Sequence, residues 1–404
     1  MSSTSVCVVG LGYIGLPTAA ILASNGVEVI GVDINERTVE AVNRGDVPFV
    51  EPDLATYVAG AVTQGTLRAT TKPEPADAFI VAVPTPFTDG HKPDLSYIQA
   101  AAEAIAPHLS AEALVILEST SPPQATQQMA EWILAARSDL SLDGSEGRAR
   151  IHVAHCPERV LPGRVMIELV TNDRIVGGLT ADAAERAKEL YQVFCQGEIL
   201  LTDAVTAEMA KLVENSYRDV NIAFANELSL ISADLGIDVW ELIRLANHHP
   251  RVNILQPGPG VGGHCIAVDP WFIVDAAPER AQLIRTAREV NDRKPRFVAD
   301  QISRRAPAQS TVALLGLTYK PDIDDMRESP AIEVTKTLAL SRPDLTVHVV
   351  DHHVAKLPQQ LDLLPNVSLE PLSSLDVSGA RAYVLVAHQE FATIEGALDL
   401  NFAA

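Results

Sequence analysis

The sequence predicts an α/β protein with two Rossmann-like parallel-sheet domains, joined by a long central helix and a helical dimerisation region. Three observations support this fold class. A glycine-rich turn follows the first apolar strand, residues 206–234 contain neither glycine nor proline, and a second series of short apolar strands begins at residue 311. We therefore expect a first domain at residues 1–205, a helical domain at 206–300 and a last domain at 301–404.

The composition is that of a globular protein without a nucleic-acid or membrane partner. The chain has 404 residues and a net charge of -21, which argues against a nucleic-acid surface and against docking on anionic lipid. No apolar run approaches about 20 residues, and the N-terminus lacks the pattern of a secretory signal. The four cysteines have neither close pairing nor metal-type spacing, which fits a reducing cytoplasm best.

The first chemical motif is the turn Gly10-Leu11-Gly12-Tyr13-Ile14-Gly15. It follows an apolar strand and opens a helix, and Asp33 ends the next strand 18 residues past the last glycine. Such glycines let the backbone approach a pyrophosphate, whose charge the helix N-terminus favours. An acid at this position accepts hydrogen bonds from a ribose and repels a 2′-phosphate, so we expect NAD rather than NADP. The expected cofactor contacts here are Gly10, Gly12, Tyr13, Ile14, Gly15 and Asp33.

Further apolar strands of the first domain are expected at residues 78–83, 114–117 and 151–154. Ligands of open parallel sheets bind beyond the carboxyl ends of strands. Thr85 and Thr120 follow two of these strands and are candidate cofactor contacts, although each hydroxyl alone also fits an ordinary loop cap. Glu158 and Arg159 follow the third strand. The rest of the domain is expected to contain an exposed loop at 138–150, a helix at 181–194 and a strand at 197–202.

Residues 206–234 repeat apolar side chains at helical spacing and predict a helix about 43 Å long. A helix of this length usually links domains or forms a subunit interface. Lys211 and Asn215 share one face of it, with Arg218 close by, which fits either a polar site or a solvated surface. A second helix is predicted at 238–247. His248 and His249 follow as adjacent residues, whereas a metal site needs spaced ligands, so we expect no metal.

Residues 257–263 contain four glycines and two prolines and predict a loop whose backbone comes close to a ligand. Cys265 follows this loop, and Asp269 lies four residues later. The pair fits a nucleophilic thiol beside a base, and the alternative is a buried structural cysteine. An NAD site together with a reactive thiol indicates oxidation of an aldehyde to the acid level through a thioester.

The last part of the chain predicts a second, degenerate nucleotide-binding domain. A helix is expected at 281–298, followed by strands at 311–315, 346–350 and 382–387. The loop after the first of these strands carries one glycine and Lys320, which is suited to pairing with a phosphate. Pro330 stands in the first turn of the next helix.

These motifs together resemble the UDP-glucose/UDP-mannose dehydrogenase family along essentially the whole chain. The resemblance rests on Gly10-Leu11-Gly12-Tyr13-Ile14-Gly15-Leu16-Pro17, Lys211-x-x-x-Asn215, Gly262-Gly263-His264-Cys265 with Asp269, and Lys320 with Arg327-Glu328-Ser329-Pro330. Members of this family oxidise the C6 alcohol of a nucleotide sugar to a carboxylate with two NAD. The resemblance thus implies an NAD-binding first domain, a central domain with the cysteine loop and a UDP-sugar-binding last domain.

The resemblance also implies catalytic roles. Cys265 is similar to the family's nucleophile, and Lys211 to a lysine that stabilises the C6 oxyanion and lowers the pKa of the thiol. Asn215 would hold the same oxygen, Asp269 and Thr120 would order water or act as base, and Glu158 would act as acid or base.

Ligand contacts are implied as well. Arg327 resembles a cofactor-binding arginine, and Arg251 resembles an arginine that reaches the sugar of a neighbouring subunit, which implies at least a dimer. The implied substrate contacts are Arg159, Val160, Lys211, Asn215, Arg218, His249, Arg251, Gly262, Tyr319 and Lys320.

Departures from the UDP-glucose pattern narrow the expected substrate. Ala267-Val268 replaces the usual Pro-Lys pair, and Pro162 replaces a second glutamate. His264 and the segment Val268-Asp269-Pro270-Trp271-Phe272 resemble the UDP-N-acetylhexosamine branch, and the expected substrate is UDP-N-acetyl-D-mannosamine. UDP-GlcNAc, UDP-GalNAc and UDP-glucose remain alternatives, as do a two-electron NAD dehydrogenase and a non-catalytic dinucleotide sensor.

Overall fold

The structure of the chain is a computed structural model that forms two compact units, Met1–Val213 and Glu214–Ala404. It describes residues 4–88, 90–263, 265–374, 381–393 and 398–399. The boundary between the units falls within the long central helix, so this helix contributes to both.

The first unit is built on an eight-stranded sheet. The strands of this unit are β1 (Ser5–Val9), β2 (Glu28–Val32), β3 (Leu67–Thr70), β4 (Ala78–Val81), β5 (Leu114–Leu117), β6 (Leu140–Ser141), β7 (Ala149–Arg150), β8 (His152–His155), β9 (Arg174–Gly178) and β10 (Ile199–Asp203). The sheet order is β3-β2-β1-β4-β5-β8-β9-β10, while β6 and β7 pair with each other inside the segment predicted as a loop.

Most of this sheet is parallel, as predicted, but β9 runs antiparallel to β8. Between them the chain forms only α6 (Val165–Thr171), a helix of seven residues and about 10 Å. Because so short a helix does not carry the chain back across the sheet, β9 starts at the edge where β8 ends. β10 then pairs parallel to β9, so the last two strands are reversed relative to the other six.

Helices cover both faces of this sheet. Besides α6, they are α1 (Gly15–Ser24), α2 (Glu36–Asn43), α3 (Leu54–Gln64), α4 (Ser96–Ile105), α5 (Ala125–Ala136) and α7 (Ala181–Tyr191). Alternate residues of one strand enter different cores: Val6 and Val8 pack with α1 and α3, whereas Cys7 and Val9 pack with α4 and α5. Strands buried on both faces explain the continuous apolar runs in the sequence.

Four helices form the central part of the chain: α8 (Ala204–Leu235), α9 (Val239–Ala246), α10 (Asp269–Ala276) and α11 (Gln282–Arg305). The structure extends the helix predicted at 206–234 by a few residues. It extends the helix predicted at 281–298 further, to Arg305, because Ala299 and Ile302 continue the buried face past the predicted end.

The second unit contains a five-stranded sheet with the order β13-β12-β11-β14-β15. Its elements are β11 (Thr311–Leu315), α12 (Pro330–Ser341), β12 (Thr346–Val350), α13 (Gln359–Asp362), β13 (Val367–Leu369), β14 (Arg381–Val384) and β15 (Leu398–Asp399). All neighbouring strands are parallel, which confirms the second Rossmann-like sheet. The last predicted strand, at 382–387, ends earlier, at Val384. Across the ranges described, no helix has the length and apolarity needed to cross a membrane.

A buried carboxyl ties three elements of the first unit together. Glu118, at the end of β5, accepts hydrogen bonds from Thr18 on α1 at 3.0 Å and from Tyr191 on α7 at 3.1 Å. The guanidinium of Arg174 lies 3.8 Å away. Burial raises the pKa of Glu118 to about 7, more than these partners lower it.

This pKa predicts how stability depends on pH. Since the folded pKa of about 7 exceeds the ordinary value of 4.5, the wild type should lose stability as pH rises from 4.5 to 7. Glu118→Gln removes this titration, so the melting temperature of the variant minus that of the wild type should increase between pH 5 and pH 8. Calorimetry at both pH values measures this difference, with Glu131→Gln on the exposed face of α5 as control. A difference that stays constant with pH would contradict the assignment.

Candidate functional site

The turn after β1 has the geometry of a dinucleotide loop. Gly10 has a φ of +97°, and its N–H donates to the carbonyl of Val32 at 2.8 Å. A Cβ on Gly15 would lie 1.8 Å from the carbonyl oxygen of Gly10, whereas a Cβ on Gly12 would meet no described atom within 4 Å. Gly10 and Gly15 are therefore required by the fold itself, and Gly12 leaves space in front of the backbone.

Asp33 holds the other side of this turn. Its carboxylate accepts the N–H of Leu11 at 3.0 Å and the N–H of Asn35 at 2.8 Å, and the side chain is only partly buried. Tyr13 is exposed beside the turn, with its ring centroid 4.3 Å from that of Phe49. An open glycine, a partly exposed acid and the N-terminus of α1 together fit the pyrophosphate and ribose of a dinucleotide.

The two predicted threonines lie together at the carboxyl edge of the same sheet. The hydroxyl of Thr85, after β4, donates to the carbonyl of Thr120, after β5. The hydroxyl of Ser119 adds a second link, since it donates to the carbonyl of Val83 at 2.6 Å. Sequence reasoning missed Ser119, although its position next to Thr120 at a strand end was a signal.

Glu158 and Lys211 form an ion pair within the first unit. The ammonium of Lys211, on α8, lies 3.9 Å from Oε2 of Glu158, and both side chains are largely buried. The other carboxylate oxygen of Glu158 accepts the N–H of Val160. Arg159 points elsewhere and donates to the carbonyl of Asp173 at 2.9 Å. A carboxylate beside an ammonium at a strand end is suited to moving a proton.

Glu208 is a residue that sequence reasoning missed. It lies on α8 three positions before Lys211 and is 1% exposed. Its carboxylate accepts the N–H groups of Gln124 and Thr126 at 2.6 and 2.7 Å and the hydroxyl of Thr126 at 2.6 Å. Since these donors belong to the start of α5, Glu208 caps that helix and fixes the segment of α8 that carries Lys211.

The cysteine loop brings three further predicted residues together in the second unit. The carbonyl of Cys265 accepts the N–H of Val268 at 3.0 Å and that of Asp269 at 2.8 Å, a turn that leads into α10. Asp269 is 2% exposed, and its carboxylate accepts the side-chain amide of Asn215 at 2.5 Å. The thiol residue itself is half-buried. His264 lies outside the described residues.

The glycines before Cys265 lie against another loop of the same unit. A Cβ on Gly262 would lie 2.5 Å from the carbonyl oxygen of Glu328, and one on Gly263 would lie 2.9 Å from the ring of Tyr319. The N–H of Gly263 also donates to the carbonyl of Arg327 at 3.0 Å. These glycines therefore make room for the loop after β11, and the expected contact of Gly262 with the sugar stays a prediction.

Five further predicted residues are exposed to solvent. Arg218, His249, Arg251 and Lys320 are all exposed, and the N–H of Arg251 points to Nδ1 of His249 at 3.4 Å. The guanidinium of Arg327 pairs with Asp325 at 2.6 Å. Their roles in binding the substrate or the cofactor stay predictions.

One group of possible metal ligands, Asp322, His353 and His388, has ligand atoms within 4.8 Å of one another. Nδ1 of His388 accepts the N–H of Asp322 at 2.9 Å, and Nε2 lies 3.1 Å from the carboxylate of Asp351. Because both ring nitrogens are engaged, His388 acts here as a hydrogen-bonded support of the loop after β11.

Three regions of the chain match domains of one family. Residues 4–195 match the NAD binding domain of the UDP-glucose/GDP-mannose dehydrogenase family, residues 205–293 its central domain and residues 313–400 its UDP binding domain. These matches cover most of the chain.

Individual proteins are similar over nearly the whole length. The NDP-N-acetyl-D-galactosaminuronic acid dehydrogenase of Ralstonia nicotianae is 58% identical over 97% of this chain and 92% of its own. The UDP-N-acetyl-D-mannosamine dehydrogenase of Escherichia coli K12 is 54% identical over 98% and 96%, respectively. The solved structure of a UDP-D-ManNAc dehydrogenase from Pyrococcus horikoshii has a TM-score of 0.83 and 39% identity, and covers 97% of this chain and 91% of that one.

The glycine geometry predicts that one substitution in the turn after β1 lowers stability and another weakens NAD binding. Gly15→Ala should lower the melting temperature of the protein without NAD, because the new Cβ overlaps the carbonyl of Gly10. Gly12→Ala should leave that temperature unchanged and weaken NAD binding at least about tenfold, since the methyl group occupies the space of the pyrophosphate. Thermal melts and calorimetric titration with NAD separate the two effects. Wild-type NAD affinity in Gly12→Ala would refute the expected approach of the pyrophosphate.

Proposed function

Because the chain belongs to the UDP-glucose/GDP-mannose dehydrogenase family and is an NAD-dependent oxidoreductase, we propose that it oxidises the C6 alcohol of UDP-N-acetyl-D-mannosamine to the carboxylate. The family agrees with the resemblance in the sequence, except that its second named sugar is GDP-mannose. The observation that carries the proposal is the cysteine loop, in which Cys265 is followed by a buried Asp269 held by Asn215.

The choice of sugar rests on the relatives and on the loop sequence. The names of both relatives specify N-acetylated hexose derivatives, one a mannosamine and the other a galactosaminuronic acid. Ala267-Val268 also departs from the UDP-glucose pattern. We favour UDP-N-acetyl-D-mannosamine, and the relative at 58% identity supports UDP-N-acetyl-D-galactosamine as the second candidate.

Bound NAD supplies the hydride acceptor, which is needed twice for each alcohol that becomes a carboxylate. In the first oxidation the hydroxyl proton has to leave as the C6 hydride leaves. We assign this proton to the pair Glu158 and Lys211, whose charged groups lie 3.9 Å apart. The ammonium of Lys211 would also stabilise the negative charge on the C6 oxygen.

Cys265 takes part after the aldehyde has formed. Its thiolate would add to C6, making a C–S bond, while the carbonyl oxygen takes up a proton to give a thiohemiacetal. Loss of a second hydride and of that proton gives a thioester. Water then adds at C6, the C–S bond breaks, and the thiol is restored. Asp269, oriented by the amide of Asn215, would hold or deprotonate this water, with Thr120 as a further candidate.

The other assignments are part of the same proposal. Asp33 and the glycine loop would hold NAD, with Arg327 as a further contact, and Lys320 and Tyr319 would hold the UDP-sugar. The corresponding domains are residues 1–205 for NAD, 206–300 for dimerisation and the cysteine loop, and 301–404 for the UDP-sugar. The four free thiols support a reducing cytoplasm as the compartment.

An exposed apolar stripe on α8 supports assembly of two copies. Tyr217, Phe224 and Ile231 follow one another at intervals of seven residues, which places them on one face. Their exposed fractions are 71%, 53% and 46%. Water contact over so much aromatic and aliphatic surface is unfavourable, so we propose that α8 pairs with a second copy of the chain.

The chemistry predicts two NADH for each UDP-N-acetyl-D-mannosamine consumed. Cys265→Ala should form no carboxylate at a measurable rate, because the thiohemiacetal requires the thiol. Cys195→Ala, another partly buried cysteine, should keep wild-type turnover. NADH absorbance together with mass analysis of the sugar product measures both.

A substrate panel tests the sugar. UDP-N-acetyl-D-mannosamine should give the highest kcat/KM, followed by UDP-GalNAc, UDP-GlcNAc and UDP-glucose. One NADH per sugar, or acid formed by Cys265→Ala, would refute the mechanism. A preference for UDP-GalNAc would change the proposed substrate and leave the proposed mechanism unchanged.

The apolar stripe predicts that Phe224→Lys shifts the protein from dimer toward monomer in sedimentation at micromolar concentration, since the interface would bury an ammonium. Leu363→Lys changes a residue that is 73% exposed directly after α13 and should leave the mass unchanged. Equal masses for Phe224→Lys and wild type would rule out this face as the interface.

A further inference from the structure

Two helices of the second unit face each other through polar side chains. Asp219, Asn226 and Ser229 lie on α8, and Arg288, Asn291 and Lys294 lie on α11. All six are at most 2% exposed. We call this group the α8–α11 ladder. Such a set between two packed helices is unusual, since apolar side chains normally fill this position.

The ladder is connected from end to end. Arg288 donates to Oδ1 of Asp219 at 2.5 Å, and Asn291 donates to the same oxygen at 2.8 Å. Asn226 donates to the side-chain oxygen of Asn291 at 2.8 Å. Ser229 donates to the carbonyl of Asn226 at 2.6 Å, and Lys294 bonds to the Ser229 hydroxyl.

Two branches leave the ladder, and both end on the backbone of the cysteine loop. The side-chain oxygen of Asn226 accepts the N–H of Gly258 at 2.8 Å. The guanidinium of Arg288 donates to the carbonyl of Ile266 at 3.3 Å. Gly258 precedes Cys265 and Ile266 follows it directly. The ladder thus holds the loop on both sides of the thiol.

Stability alone is a poor explanation for the ladder. Buried ion pairs pay a desolvation penalty, and apolar side chains of similar size often give equal or greater stability. Within the described residues, Oδ2 of Asp219 and Nε of Arg288 have no hydrogen-bond partner, which adds to that penalty. The ladder therefore suits a role in placing the loop backbone more than a role in packing.

We propose that Asp219, Asn226 and Arg288 are positioning residues, which fix the Cys265 loop so that its thiol meets the C6 aldehyde. This inference rests on the proposed role of Cys265 as nucleophile. None of the three has to touch the substrate, since they act through the backbone at Gly258 and Ile266. Loosening them should impair the step that needs the thiol and spare the first hydride transfer, which does not.

Amide hydrogen exchange tests whether these residues hold the cysteine loop, and it needs no measurement of enzyme activity. Arg288→Lys keeps the charge but cannot hold Asp219, Asp292 and Ile266 together, and Asp219→Asn is a milder isosteric change. In both, amides of residues 257–269 should exchange at least about tenfold faster than in the wild type. Arg285→Lys changes a partly exposed arginine three residues before Arg288; it is the matched control and should exchange as wild type. Unchanged exchange in both variants would overturn the proposal.

Kinetics test the consequence for the reaction. In the two variants, the first NADH should appear within about twofold of the wild-type rate, while acid formation falls at least about tenfold. The aldehyde should then accumulate and be trapped by hydroxylamine. An equal fall in both rates, or a loss of NAD affinity, would indicate general damage and overturn the positioning role. If the wild type itself releases a single NADH and Cys265→Ala keeps full activity, the proposed function fails, while the exchange experiment still decides whether the ladder holds the loop.

Discussion

Buried polar groups need partners, and along α8 this requirement determines much of the local structure. Glu208 is buried against the start of α5, and Lys211 lies beside Glu158. Asn215 bonds to Asp269, and Asn226 bonds to Gly258. Each of these inward-facing side chains therefore has its partner on a different loop or helix start. Within the first unit, Glu208 and Lys211 fix the start of α5 and the segment after β8, and within the second unit Asn215 and Asn226 fix the cysteine loop.

The first turns of the two sheets share a backbone geometry but differ in the burial of their aspartate. Gly10 and Gly316 both have positive φ and both donate 2.8 Å bonds, to Val32 and Val350 respectively. In each domain an aspartate at the end of the next strand accepts an N–H of the turn. Asp33 is partly exposed, whereas Asp351 is 4% exposed and bonded to His388. Burial acts to raise the pKa of Asp351, but its hydrogen bonds lower it to about 2. The aspartate of the first turn is therefore partly open to solvent, while that of the second turn is enclosed by the protein's own side chains.

The sequence was most informative for features that depend on a single strand, helix or turn. The strand at 114–117 and the helix at 206–234 follow from local apolar patterns, and the dinucleotide turn follows from glycine spacing. It was less informative where distant residues meet. The capping of α5 by Glu208 joins residues more than eighty positions apart, and the reversal of β9 depends on the length of α6. Position 262 has no room for a side chain because Glu328 and Tyr319 lie against it. Both are more than fifty residues away in the sequence, so no local pattern could predict this contact.

The cysteine loop needs external support because of its own composition. Glycine-rich segments lose much conformational entropy on ordering, and proline removes backbone donors that would bond within the loop. Support must therefore come from other elements. Asn226 and Arg288 bond to the loop from α8 and α11, while Tyr319 and the carbonyls of Arg327 and Glu328 contact its glycines from the loop after β11. A loop held by both sets of contacts offers a defined thiol position without a helix or strand. Since Gly262 and Gly263 are in contact with the loop after β11, the position of that loop and the position of the thiol depend on each other.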